Sequence, residues 1–166
     1  MTVTAGQDEH TVTASVDMGK ALPGPEPDRS PMTGAEPSLV TRHRELTVDE
    51  GNPHVVYLVD DAASVRLDIE GPFHERAYSA GINVEFISPT PDQADALDLR
   101  VWERGAGVTE ACGSGACAAV HAAHGWGLVG ERARVHMPGG DVDVVLGDTV
   151  TLIGPAAYVA TVEIGR

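Results

Sequence analysis

The sequence predicts an α+β fold, and three observations carry that prediction. Short strand-like segments recur along most of the chain, at residues 11–16, 44–48, 54–59, 83–87 and 97–102 and again from 134 onward. A single stretch, residues 113–126, is rich in alanine, which favours helix and allows close packing against a sheet. Glycine steps separate the later strands at hairpin spacing. Many strands with one central helix make an α+β domain.

Taken in order, residues 11–16 alternate in the manner of a strand and end at Asp17-Met18-Gly19. Residues 23–37, PGPEPDRSPMTGAEP, are dense in Pro, Gly, Ser and charge and read as a surface loop. Strand character returns at 44–48 and, after the turn Gly51-Asn52-Pro53, at 54–59. A short helix is expected over 62–70 and irregular chain over 71–81, followed by strands at 83–87 and 97–102. The helix over 113–126 carries Ala116, Ala118, Ala119, Ala122 and Ala123. Four strands then follow, at 134–137, 142–146, 150–153 and 158–164, with Gly139-Gly140 and Gly147-Asp148 as turns.

Composition narrows the function. At 166 residues the chain is one domain, or one domain with a tail. A formal net charge of −14 repels phosphate backbones and anionic membranes, so nucleic acid and membrane partners are not expected. Any anionic ligand must be held by local donors, not by the global field. No apolar run reaches membrane-spanning length, and the start MTVTAGQDEH lacks the pattern of a signal peptide, so a cytoplasmic protein is expected. Cys112 and Cys117 are five residues apart on the helix, about 140° apart around its axis, which disfavours a disulfide. Without matching His/Cys partners they also make a poor metal site, and none is expected.

Residues 100–120, RVWERGAGVTEACGSGACAAV, hold most of the chemistry. Cys112 sits where the helix begins, and unpaired N–H groups there stabilise anions and lower thiol pKa values below the ordinary value of about 8.5. Gly113 and Gly115 leave room for a ligand, and Ser114 adds a hydroxyl. The alternative is a small buried cysteine. Cys117, deeper among the alanines, reads as structural. Glu103–Arg104 suits a zwitterion, Glu for the ammonium and Arg for the carboxylate, or else a solvated pair at a strand end. Asn52 and His54 flank a turn that feeds a strand, where His54 can tune an acid or base or be structural. Asn83 reads as a strand-start residue, and His121 and His124 as surface positions on the helix.

Together the segments VDMG (16–19), DEGNPHVVYLVDD (49–61), GINVEF (81–86), residues 100–120, PGGDVDV (138–144) and LIGPAAYVA (152–160) resemble the diaminopimelate epimerases. The resemblance implies a half-barrel, a curved and mostly antiparallel sheet around one central helix. It also implies cofactor-independent epimerisation of LL- to meso-diaminopimelate by two thiols, with no cofactor. Cys112 would be one catalytic thiol, and His54 and Glu103 would tune proton transfer. Asn52, Asn83, Glu103, Arg104, Gly113 and Ser114 would bind the amino-acid end of the substrate. One small departure is Val108–Glu110, where many members have Glu-Thr-Leu.

The family is similar to two pseudo-symmetric halves, and this chain resembles the second. Residues 1–15 resemble a remnant of the first half, and 16–166 the second-half domain. The first half's Cys-Gly-Asn-Gly and Gly-Asn-Asp segments do not occur here, and Cys117 cannot replace the first-half thiol because it shares a helix with Cys112. The expectation is therefore a truncated or split epimerase, inactive in interconversion by itself. Its partner would be a first-half chain or a second copy. The alternatives are a non-catalytic half-domain that needs a partner, or a related racemase of the proline racemase type.

Overall fold

The computed structural model describes residues 2–8, 11–29 and 39–163. The strands are β1 (Thr2–Asp8), β2 (Thr11–Gly19), β3 (Leu22–Pro23), β4 (Arg42–Asp49) and β5 (Pro53–Val59). After a 3-10 turn at Ala62–Ser64 come helix α1 (Leu67–Glu75), β6 (Asn83–Pro89), β7 (Ala96–Glu103) and β8 (Gly107–Thr109). Helix α2 (Gly113–Gly125) precedes β9 (Arg132–Met137), β10 (Gly140–Val145) and β11 (Val150–Ala157).

One sheet holds all these strands in the order β1-β2-β11-β10-β9-β7-β6-β5-β4-β3, with β8 folded back on β7. Most pairings are antiparallel, as expected. The exceptions are β5 with β6 and β7 with β9. Helix α2 touches β4, β5, β6, β7, β9, β10 and β11. A helix about 10 Å across cannot reach so many strands spaced about 4.8 Å apart unless the sheet curls around it. Ala116, Cys117, Ala118, Ala119, Val120, Ala122 and Ala123 are fully buried in that wrap, and small side chains are what permit it. The α+β class and the central helix are borne out.

The alternation along β5 divides the core. Val56 and Leu58 face α2, whereas Val55, Tyr57 and Val59 face the second cluster, which lies under α1. His54, Asn83 and Glu85 alternate onto the α2 side, at the sheet end from which β5 and β6 start and where β7 stops.

Four expectations need correction. The helix expected over 62–70 is a 3-10 turn plus α1, which runs on to Glu75 through chain expected to be irregular. Gly71 explains the extension, since a Cβ there would lie 2.4 Å from Cγ of Trp102, so only glycine lets α1 settle on that ring. Pro72 removes a donor, but the carbonyl it orphans belongs to exposed Asp68. The strands expected at 150–153 and 158–164 are a single β11 ending at Ala157, and residues 158–163 have no regular structure. Pairing with β10 ends at Ile153, so Pro155 lies where the strand has only β2 beside it. Strands β1, β3 and β8 were not anticipated, and β3 takes in Pro23, the first residue of the expected loop. Of the loop expected over 23–37, residues 30–37 lie outside the described residues, as does residue 164.

Candidate active site

The ends of three strands and the start of one helix meet at a single place. Cys112 is the N-cap of α2, with extended backbone, and its sulfur accepts from the Gly115 N–H at 3.4 Å. Ser114 Oγ lies 3.6 Å from the same sulfur. The N–H groups of Gly113 and Ser114 belong to the first helical turn and have no intrahelical acceptor. Cys112 is 8% exposed and Cys117 is fully buried, and both are free thiols.

Burial pushes the Cys112 thiol up, against the pull of the Ser114 hydroxyl and Gly115 N–H, and the carboxylates of Glu85 and Glu103 push it further. The lowered thiol expected from the helix terminus is thereby reversed. Helix-end donors act on the sulfur as anticipated, but desolvation and two nearby negative charges outweigh them. Burial also pushes Cys117 up, to about 12.

His54 is fully buried and held at both ring nitrogens: Nδ1 is 2.6 Å from Oε1 of Glu85, and Nε2 is 3.1 Å from Oδ1 of Asn52. Glu85 is itself fully buried, and burial raises its carboxyl above the ordinary range. A Cβ on Gly115 would stand 2.9 Å from Oε1 of Glu85 and 3.2 Å from the Cys112 sulfur, so that glycine lets carboxyl and thiol approach one helix turn together.

Asn83 ties two neighbouring loops. Its Nδ2 donates to the Pro53 carbonyl at 2.9 Å, and its Oδ1 accepts from the Arg104 N–H at 2.9 Å. Glu103 accepts from the Thr109 hydroxyl at 2.6 Å across the β7–β8 turn, and exposed Arg104 donates to the Ala80 carbonyl at 3.2 Å. Every expected site residue (Asn52, His54, Asn83, Glu103, Arg104, Cys112, Gly113 and Ser114) thus lies at this end of the sheet.

Three further residues were not anticipated. Glu85 follows Asn83 by two positions on a strand, so it shares a face with Asn83, and that spacing was a usable signal. Thr109 needed knowledge of β8. Glu50, in the β4–β5 turn, is 6% exposed with both carboxyl oxygens unpartnered, and burial raises it to about 7. Among the described residues no three His, Cys, Asp or Glu side chains are grouped to hold a metal ion. No helix among them is long and apolar enough to cross a membrane.

The crystal structure of a hydroxyproline epimerase from Agrobacterium vitis aligns with 94% of this chain and 54% of its own, with TM-score 0.56 and 18% sequence identity. That likeness is one of fold. The diaminopimelate epimerase family model matches residues 46–159. The chain therefore belongs to the diaminopimelate epimerase family. It is 41% identical over 170 aligned residues to the diaminopimelate epimerase of Geobacillus kaustophilus, covering 93% of this chain and 57% of that one. With the diaminopimelate epimerase of Erythrobacter litoralis the identity is 48%, covering 66% and 42%. The chain spans about half the length of the relatives it matches.

Proposed function

We propose that this chain supplies one face of a cofactor-independent diaminopimelate epimerase site, converting LL- to meso-diaminopimelate in lysine and peptidoglycan precursor synthesis in the cytoplasm. The observation that carries the reading is the convergence of the Cys112 thiol, the N–H groups of the α2 terminus and the Glu103–Arg104 pair at one sheet end.

The chemistry follows from those parts. The α-hydrogen of an amino acid is weakly acidic, and its removal leaves an electron pair that must spread into the α-carboxylate. The N–H groups of Gly113 and Ser114 stabilise that carboxylate as negative charge grows on it. Cys112 is protonated at neutral pH, because burial holds its thiol up, so it is set to deliver a proton to the carbanion. In the reverse direction its thiolate takes the proton: the C–H bond breaks, the S–H bond forms, and the pair stays on carbon. Asn52, Asn83, Glu103 and Arg104 bind and orient the amino-acid groups.

Inversion needs a second acid on the opposite face of the carbon. Cys117 cannot serve, being fully buried in the same helix. We assign the second acid to the first-half domain that the family resemblance implies. With purified chain and LL-diaminopimelate, no meso product is expected. Interconversion by the chain alone, in its monomeric state, would overturn the one-face reading, and interconversion confined to a dimer would move the second acid to another copy.

A further inference from the structure

The contacts of the His54 ring determine more than its position. Oδ1 of Asn52 has no hydrogen to give, so Nε2 carries the hydrogen in the 3.1 Å contact between them. Nδ1 and Oε1 of Glu85, 2.6 Å apart, then hold one proton on the line joining them. Oε2 of Glu85 is buried without a partner, so His54 is the group that Glu85 directs.

The consequence reaches Asn52. The carbonyl oxygen of Asn52 is occupied by His54, and among the described residues nothing bonds to its NH2. Asn83 differs, since both ends of its amide are engaged by backbone. In a chain of net charge −14, a fixed donor of this kind matters, because the overall field repels an anion.

We propose that Glu85 is a positioning residue for ligand recognition: acting through His54, it holds the Asn52 amide with its NH2 toward the ligand, making Asn52 a donor to an anionic oxygen. The role rests on reading this sheet end as one face of the substrate site. Glu50, Glu103 and Cys112 are the other titratable groups around the pair.

The test is the tautomer of His54. The chain is labelled with nitrogen-15 histidine, and long-range proton–nitrogen spectra are taken from about pH 6 to about pH 9. Signals of His54, one of seven histidines, are assigned by their loss in His54→Gln. Protonated Nε2 throughout the range is the expected result, and a bare Nε2 with hydrogen on Nδ1 alone would overturn the proposal. In Glu85→Met, which keeps the volume but cannot hold a proton, a mixture of both neutral tautomers is expected. Retention of the Nε2–H form alone would show that Glu85 does not direct the ring. Should Glu85→Met fail to fold, the titration of the unaltered chain decides. Neither readout uses catalysis, so an expected tautomer in a chain that fails to exchange the α-hydrogen would support the positioning role and count against the epimerase reading.

Discussion

Two buried His–Glu pairs stand on opposite sides of the sheet, and they are built for different ends. His54 and Glu85, both fully buried, meet at 2.6 Å, and the ring is held at both nitrogens. His74 and Glu70 lie one helix turn apart on α1, 3.3 Å from each other and also buried. The His74 ring is packed instead by aromatic neighbours, with Tyr57 at 4.4 Å and Phe73 edge-on at 5.0 Å. Glu85 has His54 and an orphaned second oxygen, whereas Glu70 also receives the Leu39 N–H at 2.6 Å. Identical chemical groups thus serve as a directed polar relay on one side and as core packing on the other. What separates them is where the second hydrogen bond of each partner goes.

The largest difference between the two pairs is expected on removing each histidine. His54→Ala strands the Glu85 carboxyl in the core and is expected to cost roughly 3–5 kcal/mol, the range for leaving one member of a buried pair alone. His74→Leu keeps the volume and leaves Glu70 its Leu39 partner, so less than about 1.5 kcal/mol is expected. Urea unfolding of both variants measures the difference, and equal losses would contradict the distinction.

Stability is also expected to depend on pH. Burial lowers His74 from 6.5 to about 4. As pH falls through that window the unfolded chain takes up a proton that the folded chain refuses, so stability declines, by roughly 3 kcal/mol in all. Glu50 runs the other way, because burial raises it from 4.5 to about 7. As pH rises through that window the folded chain keeps a proton that the unfolded chain releases, and stability declines by a similar amount, roughly 3 kcal/mol. Melting curves are expected to show His74→Leu removing the acid loss and Glu50→Gln removing the alkaline one. A Glu50→Gln chain no more stable than the original at about pH 8 would contradict the buried, unpartnered carboxyl.

Much of this was legible in the residues. The alanine run announces α2, and the Asn52–His54, Asn83, Glu103–Arg104 and Cys112–Ser114 segments, each readable in the sequence, lie at one end of the sheet. What escaped was non-local. The extension of α1 through Gly71-Pro72 depends on the ring of Trp102, distant in the chain, and Gly and Pro read locally as helix breakers. The direction of the Cys112 shift depends on Glu85, which only the β5–β6–β7 pairing brings under α2. A helix terminus is visible in sequence, but the desolvation that outweighs it is not.

Cys112 is expected to exchange the α-hydrogen of an amino acid held at the α2 terminus, and solvent-deuterium incorporation reads that exchange. Diaminopimelate is incubated with the chain in deuterium oxide and its α-carbon is followed by mass spectrometry. Incorporation is expected, rising about tenfold per pH unit while thiolate is the minor form, and disappearing in Cys112→Ser. No incorporation by the unaltered chain, or incorporation that survives Cys112→Ser, would contradict the account.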